Sequence, residues 1–253
     1  MTGQGPPEES SSPGPDARPA SVPHQFVRPH GLLGSMTGWI LRLFNAGLNR
    51  RAVEALPLTP RARVLEIGFG PGHALSLLEG RVPQGTVSGI DPSPVMILQA
   101  RRRNREALRA GRMDLRSGTA DVLPWTEGSF DAVLSLNNVL FWRPLEGSLS
   151  EIQRVLLPRG VCLIGLHAAA ARVFTGAGPR ALQEVDHYLM PSFERAGFAP
   201  VQRWEVRTGT GRGVLYLLTK PTADASLPPR CEPMLLPRPW AVARSAALPH
   251  GDR

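Results

Sequence analysis

The chain has 253 residues, 42% of them hydrophobic, which suits one domain with a true core and excludes a wholly disordered polymer. Its formal charge of +8 rests on arginine far more than on lysine and reads as a solvated basic surface rather than a nucleic-acid footprint. Cys162 and Cys231 lack metal-ligand or scaffold spacing, no apolar run reaches a membrane span, and no signal-like start is visible, so a cytoplasmic protein with no metal site is expected.

Residues 1–23 hold six prolines among Ser, Gly and acids. Such a segment cannot offset its ordering entropy and reads as a disordered tail. Over residues 24–57, Met36, Ile40, Leu43, Phe44, Leu48, Val53 and Leu56 recur at three- and four-residue steps. This predicts one or two amphipathic helices forming a candidate lid, with His30 and Met36 in it and Met36 as a candidate acceptor contact.

Beyond Pro60 the rhythm changes. "RVLEIGF", "GTVSGID", "DLRSGTA", "FDAVLSLN" and "VCLIGLH" read as strands, separated by the helix candidates "GHALSLLEGRV", "SPVMILQARRRNREALRAG" and "PLEGSLSEIQRVL". After a further helix in "PRALQEVDHYLMPSFERAG", the strands "VQRWEVRT" and "VLYLLTK" flank a Gly-rich turn and form a hairpin. The alternation predicts an α/β fold of the doubly wound, Rossmann-like kind. It should have a mostly parallel seven-stranded sheet, a terminal antiparallel hairpin and helices on both faces over residues 24–220. Residues 221–253 read as a Pro-rich tail whose "MLLPRPWAV" is apolar enough to pack somewhere.

The stretch "VLEIGFGPG" carries the chemistry. Ligands of open α/β sheets bind beyond the carboxyl ends of the strands. Gly68 permits a tight turn there, Gly70 leaves the backbone open to a ligand, and Gly72 lets the next helix sit close. The spacing departs from G-x-G-x-x-G, and Glu66 would repel a diphosphate, so a ligand with positive charge is favoured over a dinucleotide. Asp91, at the tip of the second strand, is placed to accept from ribose hydroxyls, and Asp121 from an adenine amino group beside Leu123, Pro124 and Trp125. A helix cap and a solvated loop acid remain the alternatives for these two acids.

Together "VLEIGFGPG", "GIDPSPVMI", "GTADVLPWTEGSFDAV" and "EIQRVLLPRG" resemble a class I S-adenosylmethionine-dependent methyltransferase, similar to the small-molecule enzymes of ubiquinone and menaquinone biosynthesis. The resemblance covers residues 60–165 in motif and the rest to 220 in topology. It implies S-adenosyl-L-methionine as cofactor. It implies that Glu66, Gly68, Phe69, Gly70 and Gly72 line the methionine part, Asp91 and Pro92 the ribose, and Ala120, Asp121 and Val122 the adenine. Leu136 and Asn137 match the segment under the sulfonium end, while Glu151, Arg154, Leu156, Pro158 and Gly160 match an architectural helix-turn signature. Val161 replaces the usual second glycine of that turn, and "NVLFW" stands where many relatives carry a histidine.

The expected reaction is direct displacement of a methyl group onto a small-molecule acceptor, for which positioning and water exclusion supply much of the rate. Asn138 is a candidate for orienting the acceptor atom, and His167 for removing a proton. Phe141 and Trp142 are candidates for walling an apolar acceptor. Three other readings stay open: a cofactor-binding scaffold without turnover, a nicotinamide-dependent oxidoreductase, and an RNA or protein methyltransferase. For the last, the run "RRRNREALRAGR" would supply charge, although it reads first as a solvated helix face.

Overall fold

A computed structural model describes residues 46–222. The expected tail at 1–23 and residues 223–253 of the tail expected at 221–253, together with His30, Met36, Cys231 and lid residues 24–45, lie outside the described residues.

Seven strands form one sheet in the order β3-β2-β1-β4-β5-β7-β6. They are β1 (Arg63–Ile67), β2 (Thr86–Asp91), β3 (Met113–Ser117), β4 (Phe130–Leu136), β5 (Leu156–His167), β6 (Val201–Thr208) and β7 (Gly211–Thr219). The first five pair in parallel; β7 runs antiparallel to both β5 and β6, as the predicted hairpin requires.

Helices cover both faces. On one face lie α1 (residues 46–55), α2 (His73–Arg81), α3 (Pro94–Arg103) and α4 (Arg105–Arg109). On the other lie α5 (Leu145–Val155), α6 (Ala168–Thr175) and α7 (Ala181–Arg195). Strand alternation feeds the two layers separately. Ala132, Leu134, Leu163 and Leu215 join the α1–α4 layer, while Val133, Cys162, Ile164 and Tyr216 join the α5–α7 layer.

Four local features depart from the expected elements. The arginine-rich helix breaks at Asn104 into α3 and α4, because Asn104 leaves helical geometry at φ −105°, ψ 25°. The fifth strand begins at Leu156 and contains the "LPRG" turn, with Arg159 at φ +64° and a register shift opposite Phe130–Ala132. The third strand ends at Ser117, so "GTA" belongs to the loop beyond it. Between the fifth strand and the helix expected in "PRALQEVDHYLMPSFERAG", α6 follows β5 directly, capped by the His167 side chain.

Of the expected lid, α1 is described, and it is packed on the sheet. Leu48, Ala52 and Leu56 are fully buried, and the Arg81 guanidinium donates to the carbonyls of Val53 and Leu56. At the far edge, the Tyr216 hydroxyl donates to Asp186 at 2.6 Å, and Arg203 pairs with the same carboxylate, tying α7 to the hairpin.

Candidate functional site

The strand order reverses between β1 and β4, so the chain leaves their carboxyl ends toward opposite faces and opens a crevice there. The tip of β1 is the turn Gly68–Gly72. All three of its glycines take positive φ, at +70°, +52° and +78°, a region open to glycine at no steric cost. The turn closes through Gly72 N–H donating to the Phe69 carbonyl at 3.0 Å. A side-chain carbon at Gly68 would lie 1.1 Å from Nδ2 of Asn138, so β1 and β4 meet across the crevice. One at Gly70 would meet nothing within 4 Å, so this part of the turn faces open space.

Two carboxylates flank the turn. Glu66 is 3% exposed and Asp91 6% exposed. Asp91 accepts from Gly70 N–H and from Ser93 N–H, each at 2.9 Å, and so fixes the turn to the start of α3. Glu66 accepts from the Leu75 N–H in the first turn of α2, but its Oε2 is buried without a partner. Desolvation pushes Asp91 up to about 6, and desolvation followed by the charge of Asp91 holds Glu66 well above the usual carboxylate range. Two buried acids with one orphaned oxygen ask for an occupant that brings hydrogen-bond donors or positive charge. The ammonium and sugar hydroxyls of S-adenosylmethionine meet that demand, and Gly70 leaves the room; the residues fit the cofactor.

Of the other residues assigned to the cofactor, Phe69 has its ring in the core against Gly89, so only its backbone faces the turn. Leu136 likewise packs into the core beside Gly165. Asn137 holds a left-handed backbone at φ +55°, and its Oδ1 accepts from His167 N–H at 2.7 Å, pinning the β4 tip to β5. Pro92 stands partly buried between Asp91 and the α3 cap Ser93. On the next loop Ala120 is buried, Asp121 is half-buried and Val122 is 68% exposed. That loop is held from α5: the Glu151 carboxylate accepts from Leu123 N–H, and Arg154 donates to the carbonyls of Leu123 and Trp125. The "EIQR" residues thus position the loop as well as completing a turn.

On the acceptor side, two expectations need correction. Trp142 is 5% exposed and belongs to the core, so it walls no acceptor; its indole N–H donates to Asn138 Oδ1 at 2.9 Å. His167 is 3% exposed and both ring nitrogens are engaged. Nδ1 accepts from Ala169 N–H, and Nε2 lies 3.2 Å from the hydroxyls of Thr208 and Thr210. Burial and then the Arg172 charge push its pKa down, so it is a neutral helix cap and not a base poised for proton removal. Asn138 is occupied too, its Nδ2 donating to the Ile67 carbonyl at 3.3 Å. Phe141 remains half-buried and meets Phe174 of α6 edge-on, with ring centroids 6.1 Å apart.

Sequence reasoning missed one supporting residue. Asn104, 6% exposed, donates to the carbonyls of Gly72 and Ala100 and accepts from Ser76 Oγ at 2.7 Å, so it holds the back of the glycine turn. Its only signal was a single asparagine interrupting a run of arginines.

Residues 64–160 match a family described as a methyltransferase domain. The chain is 28% identical over 167 residues to YdaC of Bacillus subtilis, an uncharacterised methyltransferase, covering 66% of this chain and 87% of that protein. It is 36% identical over 114 residues to a demethylmenaquinone methyltransferase of Thermus thermophilus, covering 44% of this chain and 50% of that one. It spans about half the length of several curated relatives it matches. A methyltransferase in complex with the Trm112 methyltransferase activator of Haloferax volcanii shares the fold, with a TM-score of 0.65 at 18% identity over 81% of this chain and 99% of that chain. The matched stretch runs from β1 into β5 and so contains the whole glycine turn with both acids: residues 64–160 are a methyltransferase domain, similar in sequence to that of S-adenosylmethionine-dependent enzymes.

Proposed function

We propose that the protein transfers a methyl group from S-adenosylmethionine to a small, largely apolar acceptor, by direct displacement and without a side-chain base. The observation that carries this reading is the pair of buried carboxylates around a glycine turn, one of them with an orphaned oxygen. When bound, the cofactor supplies an electrophilic methyl carbon on a sulfonium.

The residues divide the work. Glu66 receives a donor at its orphaned Oε2. Asp91 keeps the turn in place through Gly70 N–H and offers its remaining lone pairs to the sugar. Asp121 and Val122, with Ala120, border the adenine. Asn138 is a positioning residue, held by Trp142 and Ile67 and lodged against Gly68. Phe141 and Phe174 suit an apolar or ring-bearing acceptor, and their packing keeps water from the reacting atoms. The name of the Thermus relative, a demethylmenaquinone methyltransferase, accords with such an acceptor. A nucleic-acid acceptor is disfavoured because the arginine run lies on α3 and α4 beside β2 and β3, away from the β4 and β5 tips.

The test is calorimetric titration with S-adenosylmethionine and S-adenosylhomocysteine, followed by a metabolite screen read by S-adenosylhomocysteine release. Failure of both ligands to bind folded protein sinks the reading. Binding without turnover on any acceptor favours the scaffold alternative, which the fully engaged His167 also suits.

A further inference from the structure

The break at Asn104 has a second result. It gathers Arg102 and Arg103 of α3, Arg105 of α4 and Arg112 before β3 around one cleft of about 300 Å³. Two acids, Glu79 and Glu106, share its lining with the four arginines. Glu79 is committed to Arg112 in an ion pair and Arg103 donates to the Pro71 carbonyl, while arginines still outnumber acids in the lining. Arg102 near the end of α3 and Arg105 at the start of α4 bring two like charges to the lining of one cleft. Attraction to the carboxyl end of α3 rationalises Arg102 and Arg103. It does not extend to Arg105, which lines the same space.

The floor of this cleft is built. Asn104 is buried with all its side-chain atoms engaged, by Gly72 O, Ala100 O and Ser76 Oγ. Arg103 Nε donates to the Pro71 carbonyl at 3.0 Å. Cleft and cofactor turn are therefore two sides of one wall.

We infer that this cleft is a binding site for a small phosphate-bearing anion, and that its occupancy is linked to the cofactor turn through Arg103–Pro71 and Asn104–Gly72. Guanidinium forks match phosphate oxygens in pairs, which favours phosphate over a monovalent carboxylate. The volume lies at the lower end for small-ligand sites, which suits a diphosphate group and not an extended polyanion. An anion that draws on Arg103 competes with the Pro71 carbonyl for that side chain. The linkage should therefore be negative, and reciprocal.

The probe is inorganic pyrophosphate, titrated into the full chain by calorimetry at 150 mM salt. Saturable one-to-one binding is expected, weakened about tenfold or more in the double variant Arg102→Gln/Arg105→Gln, the scale of about one charge-assisted hydrogen bond. That variant should bind S-adenosylhomocysteine like the parent, which shows that its fold and cofactor site are intact. Saturating pyrophosphate should weaken S-adenosylhomocysteine binding to the parent about fivefold, the low end for allosteric coupling. Absence of saturable binding, or equal binding by the variant, overturns the site. Binding without any change in S-adenosylhomocysteine affinity overturns the link to the turn. Preference for a 20-nucleotide RNA over pyrophosphate, with affinity falling steeply with salt, overturns the small-ligand reading in favour of a nucleic-acid surface. Because cofactor binding is read separately, loss of this inference leaves the proposed function standing.

Discussion

Asp91 is held ionised at a cost to the fold, and the cost can be read from pH. Burial raises its pKa from the ordinary 3.8 to about 6. Below pH 4 the side chain is protonated in both folded and unfolded chains and contributes no difference. Between those two values the folded protein retains a proton that the unfolded chain has released, so stability falls as pH rises. Above about pH 6 the full penalty remains. The interval of about two pH units, at about 1.4 kcal/mol each, gives about 3 kcal/mol. Asp91→Asn removes this titration. It also sets an amide N–H₂ against one of two backbone donors, Gly70 or Ser93, but that loss does not vary with pH. Urea unfolding of both proteins from pH 4 to 7.5 should show parent stability, relative to the variant, dropping by about 3 kcal/mol. This corresponds to about 6–12 °C in Tm for a domain of this size. The same variant should bind S-adenosylhomocysteine at least about tenfold more weakly, since it loses a charged acceptor. A constant offset between the two curves across the whole pH range would refute the reasoning.

Four further outcomes follow from the site's contacts. Gly68→Ala must displace Asn138 as well as adopt φ +70°, and should lose cofactor binding together with about 2 kcal/mol or more of stability. Gly70→Ala meets no neighbour, so it should stay folded at a cost of about 1–2 kcal/mol while still weakening S-adenosylhomocysteine; equal thermal shifts for the two variants would contradict this. Trp142→Phe removes the N–H that steadies Asn138 and should cost about 1 kcal/mol of stability and measurable cofactor affinity, so a variant with unchanged affinity would detach Asn138 from the turn. His167→Gln should lower stability by about 1–2 kcal/mol through the lost cap yet leave the shape of the methyl-transfer pH profile unaltered. Disappearance of a pH-profile limb would restore His167 as a base.

The layer architecture and the turn were legible in the residues, because both depend on local rules. The near-continuous apolar runs in "FDAVLSLN" and "VCLIGLH" call for helices on both faces of the sheet, and three glycines after a buried strand permit backbone angles other residues resist. The acids at 66 and 91 followed from the same logic, since strand tips are where such sheets bind ligands. What tertiary structure alone decided was which polar groups were already spent. Nothing local reveals that Asn138 donates to the Ile67 carbonyl, that His167 faces two threonines from residues 208 and 210, or that Asn104 reaches back 32 residues to Gly72. Hydrogen-bond partners far apart in sequence are chosen by the packing of whole elements, and a side chain's chemistry depends on whether that packing leaves it an open valence. Glu66 kept one and His167 did not, a difference that no reading of residue types along the chain contains.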